Sequence, residues 1–164
     1  MDAISLLKSQ HREVEDLFKQ FEALGDKAGA EKKAVLTEIT QKLTAHAAIE
    51  ERLFYPEGRD VDEDMTLEAY EEHGVMKDLI RKIGKTRASD ETFEAKATVL
   101  KEIVEHHVEE EENKYFPECE EAFGQEKLEE LGEEMEALFH RLVSGTKNPR
   151  KRVAKKAKKR RRAA

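Results

Sequence analysis

The sequence has few of the residues that typify disulfide-rich or sheet-rich proteins. Among its 164 residues there is no tryptophan, one cysteine, three prolines and eight glycines. The single Cys119 excludes an intramolecular disulfide framework and is typical of a reducing compartment. Scarce glycine and proline, together with a charged fraction of 41%, favour a helical bundle over a sheet protein.

Long apolar runs are also missing from the sequence. No stretch approaches the roughly 18 apolar residues that a membrane-spanning helix needs. The first residues lack the basic segment and apolar run of a signal peptide. We therefore expect a cytoplasmic protein with no membrane association, long enough for one domain with a substantial core.

The charge of the chain is divided unequally along its length. Eleven of the 30 basic residues lie between Lys147 and Ala164, a segment without Asp or Glu. The other 146 residues therefore hold 19 basic and 37 acidic side chains, a net charge of −18. We interpret residues 1–146 as one helical domain and residues 147–164 as a basic, disordered tail.

One pattern occurs twice, 61 residues apart. In the first copy, His46 is followed by Glu50 four residues later and by a proline ten residues later; in the second copy, His107 is followed by Glu111 and a proline at the same distances. Another histidine precedes each copy at nearly the same distance, His11 in the first and His73 in the second. The spacing of four places His and Glu on one helix face. The chain therefore contains a duplicated helix pair.

The hydrophobic periodicity predicts four main helices and a fifth near the C-terminus. The predicted helices run from Asp2 or Ala3 to just before Gly25, from Ala30 to Phe54, from Asp64 to Lys85, from Ser89 or Asp90 to Phe116, and from Gln125 to Val143. Pro56 and Pro117 mark the predicted ends of the second and fourth helices. The fold class is therefore all-α: an up-down antiparallel four-helix bundle with an additional C-terminal helix.

The polar residues of the duplicated pattern fall on the apolar stripes of these helices. They are His11, His46, Glu50, His73, His107 and Glu111. An unpartnered histidine or carboxylate in a bundle core is strongly destabilising, and a metal ion offsets that cost. Six nitrogen and oxygen ligands without cysteine suit iron or manganese better than structural zinc or calcium. A dinuclear iron centre fits best; two mononuclear sites, manganese and zinc are the alternatives.

This duplicated motif resembles that of the hemerythrin family, specifically the hemerythrin-like HHE cation-binding domains, over about residues 3–118. The resemblance implies a four-helix bundle with two iron ions in an oxo- or hydroxo-bridged centre. It carries the same six residues over as metal ligands, with Glu50 and Glu111 as the bridges.

The sequence departs from the oxygen-carrying hemerythrins at one position. Those proteins have a second histidine four residues after the histidine of the third helix, where this chain has Lys77. A protonated lysine is no metal ligand, so we expect water, a carboxylate or a phenol there. Tyr70 and Tyr115 are the candidate phenols, expected as core residues with hydroxyls near the site. His106 and His140 are expected outside the ligand set, and Glu51 and Glu110 as hydrogen-bond partners of the ligands.

The departure at Lys77 favours redox chemistry, sensing or metal handling over reversible oxygen carriage. The first functional hypothesis is reaction with, or binding of, a small oxidant (O2, H2O2 or NO), including catalase-like activity. The alternative is an iron or oxygen sensor or metal-binding protein without turnover. A third hypothesis concerns the tail: residues 147–164 would contact DNA, RNA or another polyanion through phosphate charge, without stacking on bases.

Overall fold

The computed structural model describes residues 1–145, which are helical almost throughout. The tail predicted from residue 147 onward lies outside the described residues. The α-helices are α1 (Ala3–Ala23), α2 (Gly29–Ile49), α3 (Tyr55–Gly58), α4 (Glu63–Lys85), α5 (Phe93–Glu110) and α6 (Phe116–Ser144). Two π-helical segments, Glu50–Phe54 and Glu111–Tyr115, join α2 to α3 and α5 to α6. Within the described part of the chain, no helix is long and apolar enough to cross a membrane.

Side-chain caps determine where two of the helices begin. The Asp2 carboxylate accepts from the backbone N–H of Ser5 at the start of α1, and Asp62 accepts from Met65 at the start of α4, each at 2.9 Å. Both satisfy donors that have no partner within the helix. The predicted start of α5 at Ser89 or Asp90 is wrong. Asp90 instead accepts from the N–H of Thr92 in a turn, and α5 begins at Phe93.

The four long helices of the bundle pack in the pairs expected of the duplication. α1 lies against α2, and α4 lies against α5, while α6 covers α1 and α2. The predicted four-helix bundle with an additional C-terminal helix is therefore confirmed. At Gly132 of α6 a Cβ would collide with the backbone around Asp2 and Ala3, so glycine permits the close approach of α6 to the N-terminus.

The apolar core consists of two clusters, and the histidines lie at the boundary between them. One cluster contains Leu7 of α1 and Ile49 of α2; the other contains Val14 and Leu43 of the same helices. His11 and His46 fall between these residues in sequence, and His73 and His107 fall at the same boundary on α4 and α5. The fold therefore gathers all four imidazoles into one buried layer.

The prediction that helices end before the two prolines is wrong. Each proline lies in the first turn of a new α-helix, Pro56 in α3 and Pro117 in α6. A proline ring clashes with the carbonyl four residues earlier in a regular α-helix. The wider π-helical turn before each proline avoids this clash, because its hydrogen bonds span five residues. The predicted fifth helix is the part of α6 beyond a kink at Gly124, which has φ +71°.

Candidate metal centre

Six histidine and glutamate side chains from four helices meet in the buried layer. Their ligand atoms form two groups, each with all atoms within 4.8 Å of one another. The first group contains His11, His46, Glu50 and Glu111, and the second contains Glu50, His73 and His107. The structure therefore brings together all six residues that the sequence singled out.

The first group is built around two imidazole nitrogens. His11 Nε2 lies 3.1 Å from His46 Nε2. Glu50 Oε1 lies 3.2 Å from His46 Nε2, and Glu111 Oε2 lies 3.4 Å from His11 Nε2. Two imidazoles and two carboxylates thus converge on one small volume, which is the donor set of a cation site.

The second group repeats this arrangement with the other pair of histidines. His73 Nε2 lies 3.1 Å from His107 Nε2. Glu50 Oε2 lies 3.3 Å from His73 Nε2, and Glu111 Oε2 lies 3.5 Å from His107 Nε2. Glu50 therefore directs one oxygen to each group, and Glu111 Oε2 lies near both. This is the placement required of carboxylates that bridge two cations.

Two of these carboxylate oxygens are unsatisfied. Glu50 Oε1 and Glu111 Oε2 are buried and accept no hydrogen bond from any residue within 1–145. Glu50 is fully buried and Glu111 is 2% exposed. A buried carboxylate oxygen without a partner carries a large desolvation penalty, which coordination of a cation removes. The donor chemistry and these orphaned oxygens fit a metal.

Hydrogen bonds hold the outward-facing nitrogen, Nδ1, of each of the four histidines in the centre. The pairs are His11 Nδ1 with Glu112 at 2.8 Å, His46 Nδ1 with Gln10 at 2.7 Å, His73 Nδ1 with Glu51 at 3.0 Å, and His107 Nδ1 with Glu72 at 2.5 Å. Because each Nδ1 is held, each Nε2 is directed into the centre, an orientation typical of metal-binding histidines.

Of the acids expected as hydrogen-bond partners, only Glu51 serves a histidine of the centre. Glu110 instead pairs with Lys114 and lies near His106, outside the centre. Glu112, which the sequence did not single out as such a partner, holds His11. Gln10 was missed, although the duplication contained the signal: in each half, the residue before the first histidine holds the second histidine.

A tyrosine that the sequence analysis missed lies inside the second group. The Tyr55 hydroxyl donates to Glu111 Oε1 at 2.8 Å and lies 3.2 Å from His73 Nε2 and 3.4 Å from His107 Nε2. The expected Tyr70 and Tyr115 hydroxyls bond elsewhere. Tyr70 donates to the carbonyl of Glu51, and Tyr115 bonds the hydroxyl of a threonine on α4.

The counterpart of Tyr55 in the duplication is Phe116. Its ring stacks on His11 with 8° between the planes and 6.0 Å between the centroids. One half of the centre therefore has a phenol beside its histidines, and the other half has a phenyl ring. The duplication is asymmetric at this position.

Lys77 does not reach the centre. Its ammonium group pairs with Glu51 Oε1 at 2.5 Å, and its side chain is 42% exposed. Glu51 in turn holds His73. Lys77 therefore contacts the centre only through Glu51.

The electrostatics of the cluster favour charged side chains despite their burial. Burial raises the pKa of Glu50, but the nearby imidazoles of His46 and His73 favour its charged form and outweigh burial, so this pKa lies well below its usual range. Burial lowers the pKa of His73, but hydrogen bonds with Glu50 and Glu51 raise it to about 9. Burial and the charges of Glu111 and Glu50 raise the pKa of the Tyr55 phenol well above its ordinary value.

A small cavity adjoins the four histidines on the side away from Tyr55. Its volume is about 20 Å³, which is room for a molecule the size of water or a diatomic gas. Apart from the histidines, its lining includes the apolar residues Val14, Leu43, Met76, Ile80 and Val104. The site can therefore admit a small, weakly polar molecule next to the ligand atoms.

The comparisons with known proteins identify the family. The family model for the hemerythrin HHE cation binding domain matches residues 2–119. The chain therefore belongs to the hemerythrin HHE cation-binding domain family, as the resemblance in the sequence implied.

Two relatives illustrate this membership. A hemerythrin HHE cation binding domain-containing protein from Mycobacterium kansasii has a crystal structure that matches with a TM-score of 0.78 and 26% identity, over 88% of this chain and 89% of that one. A protein named DNA nickase from Nostoc sp. is 29% identical over 138 residues, which are 84% of this chain. The match spans 39% of the length of that relative.

Proposed function

We propose that this protein holds two iron ions in the buried layer and uses them to react with or bind a small oxidant: oxygen, hydrogen peroxide or nitric oxide. The observation that supports this most strongly is the position of Glu50 and Glu111 between two histidine pairs, each with an unpartnered buried oxygen. The ligands we propose are His11, His46, Glu50, His73, His107 and Glu111, with the two glutamates as bridges.

The donor set favours iron over the alternatives. Imidazole and carboxylate ligands without sulfur suit iron or manganese, whereas structural zinc sites commonly use four ligands that include cysteine. The only cysteine, Cys119, is buried and belongs to neither group of ligand atoms. When bound, iron would supply Lewis acidity and electrons to the small oxidant.

The chain's own residues prepare the site for such a ligand. The cavity beside the histidines has room for one small molecule, and Val14, Leu43 and Met76 are among the apolar side chains in its lining, so its size disfavours larger substrates. The four Nδ1 hydrogen bonds hold the imidazoles in place. The Tyr55 hydroxyl donates a hydrogen bond to Glu111 Oε1 and lies beside the ligand atoms of the second group.

Metal analysis and optical spectroscopy of freshly purified protein test the centre. We expect about two irons per chain and a charge-transfer band. His46→Ala and His107→Ala should each lose at least one metal. His140→Ala is the matched control, because His140 is 73% exposed and lies away from the centre. Full iron occupancy in both His46→Ala and His107→Ala would remove these residues from the ligand set.

Peroxide turnover distinguishes the two roles of such a centre. Oxygen release from peroxide by the iron form, lost in His46→Ala, supports catalase-like activity. Metal-dependent stabilisation without turnover of oxygen, peroxide or nitric oxide supports a sensor or metal-binding role.

A second function concerns the basic tail. Eleven basic residues among residues 147–164 would bind a polyanion through counterion release, and a relative that matches over most of this chain is named DNA nickase. We expect retention on DNA that falls steeply with salt and disappears when residues 147–164 are deleted, with metal content unchanged. Absence of retention at low salt would contradict this proposal.

A further inference from the structure

Three potential ligands lie together on the surface beside the centre, between α4 and α5. His106 Nε2 lies 3.5 Å from Glu72 Oε1 and 3.6 Å from Glu110 Oε2, and the three ligand atoms lie within 4.8 Å of one another. The His106 side chain is 63% exposed, whereas those of Glu72 and Glu110 are only 18% and 19% exposed. We name Glu72, His106 and Glu110 the surface triad.

The surface triad has no counterpart in the first half of the duplication. The positions equivalent to His106 and Glu110 are Ala45 and Ile49, which are 4% and 0% exposed. Ile49 belongs to the apolar cluster that includes Met135 of α6, because α6 covers this face of α2. The duplication therefore does not require an imidazole and a carboxylate at the equivalent face of α5, where His106 is exposed and Glu110 is partly exposed.

Glu72 connects the surface triad to the buried centre. Its Oε1 faces His106, while its Oε2 bonds His107 Nδ1 at 2.5 Å. In the first half the equivalent residue is Gln10, which makes the corresponding bond to His46 without a charge. Because Glu72 is a carboxylate, its second oxygen, Oε1, is available to the surface triad while Oε2 bonds His107.

A narrow cavity lies between the surface triad and the buried centre. It has a volume of about 10 Å³, roughly one water molecule, and its lining includes Glu72, Glu110, His107 and Glu111. Glu111 is 2% exposed, and its Oε2 is one of the two buried oxygens without a hydrogen-bond partner within residues 1–145. The lining of this cavity thus includes two residues of the surface triad and Glu111 of the centre.

We propose that the surface triad is an uptake site that captures a divalent cation from solution and delivers it past Glu72 and Glu110 to the buried centre. One imidazole and two carboxylates leave several coordination positions for water, so binding is weak and reversible. This suits a cation in transit. Delivery of the cation rests on the proposed metal centre, whereas capture of the cation by the surface triad does not.

Lys114 opposes capture at the surface triad. It lies one turn after Glu110 and its ammonium group bonds Glu110 Oε1 at 2.8 Å. This ion pair places a positive charge beside the Glu110 carboxylate. A cation must compete with Lys114 for Glu110.

Uptake kinetics test the proposal on the full chain. Metal-free protein is mixed anaerobically with Fe²⁺, and iron that has become inaccessible to a chelator is measured over time. His106→Gln and Glu110→Gln should slow uptake by roughly tenfold, the loss expected when a focusing charge or ligand is removed, with the same final iron content. Glu72 is left unchanged because it also holds His107. Rates equal to that of the parent in both variants would overturn the proposal.

Two controls accompany this measurement. His140→Gln removes another exposed histidine, whose nearest acid is Glu136 at 3.8 Å, and should leave uptake unchanged. Lys114→Gln should accelerate uptake. A slower rate in His140→Gln equal to that in His106→Gln would contradict the assignment to the surface triad.

Equilibrium binding of Mn²⁺, followed by the paramagnetic resonance of the free ion, tests the surface triad without relying on the buried centre. The parent should show one weak site that His106→Gln abolishes and His140→Gln retains. If the parent takes up no iron but keeps this weak site, the buried centre fails and the surface triad stands. If the weak site is missing, or persists in His106→Gln, the surface triad fails.

Discussion

Removing the Tyr55 hydroxyl should alter the metal centre far more than removing any other tyrosine hydroxyl. In Tyr55→Phe, Glu111 Oε1 loses the hydrogen bond that it accepts at 2.8 Å in a fully buried place. A hydrogen bond to a charged group contributes about 1.5–3 kcal/mol. The metal-free protein should therefore lose about 2 kcal/mol of unfolding free energy, or about 4–8 °C in thermal midpoint for a chain of this size.

Tyr115→Phe is the matched control for this variant. It removes an equally buried hydroxyl, and Tyr115 is 1% exposed, but its partner is the neutral hydroxyl of Thr66. Thr66 also donates to the carbonyl of Asp62 and so keeps a partner. We expect a loss of about 1 kcal/mol, and no change in metal content or optical spectrum.

The iron-loaded forms give the sharper comparison. A cation beside His73 and His107 lies within reach of the phenol oxygen and would lower its pKa. We therefore expect Tyr55→Phe to change the visible spectrum and the iron affinity, while Tyr115→Phe resembles the parent. The measurements are differential scanning calorimetry of both metal-free variants and anaerobic iron titration followed by absorbance. Identical spectra and iron affinities in the two variants would refute the assignment of Tyr55 to the centre.

Three further predictions follow from the geometry. Removing metal with a chelator should lower the thermal midpoint, since a ligand at a thousand times its dissociation constant adds about 4 kcal/mol to stability; equal midpoints for the metal-free and loaded forms would contradict a buried metal centre. Lys77→His should change the spectrum and oxidant reactivity of the iron form, whereas Lys77→Met, which also loses the ion pair with Glu51, should leave the coordination unchanged; identical behaviour of the two variants would show that the imidazole does not reach the metal. In the metal-free protein the raised pKa of His73 stabilises the fold fully below pH 6.5, and this contribution should be lost as pH rises through about 9. Urea unfolding across that interval measures the loss.

The sequence predicted the fold and the six central residues because both depend on α-helical periodicity. Steps of three and four residues place His11 between Leu7 and Val14, and the step from His46 to Glu50 is one α-helical turn. The structure keeps these spacings on one helix face, because the helices are regular up to Glu50 and Glu111.

Tyr55 could not be predicted, because the helix changes its period directly after Glu50. In an α-helix the residue four positions after Glu111 shares its face, which pointed to Tyr115. In the π-helical turns the backbone hydrogen bond spans five residues, from the N–H of Tyr55 to the carbonyl of Glu50 and from the N–H of Phe116 to that of Glu111. The fifth residue is therefore brought above each glutamate, and Tyr115 is turned toward α4.

The near-symmetry of the two halves has a consequence for how cations fill them. Beside His73 and His107 stand the Tyr55 hydroxyl and the Glu72 carboxylate, whereas beside His11 and His46 stand a phenyl ring and the neutral amide of Gln10. The two proposed cation positions, which would share the carboxylates of Glu50 and Glu111, are therefore chemically unequal. A titration should show two successive affinities rather than one, with the more anionic half occupied first. A gene duplication that began with two identical halves would thus have produced two unequal binding positions, which the first and the second cation fill in a defined order.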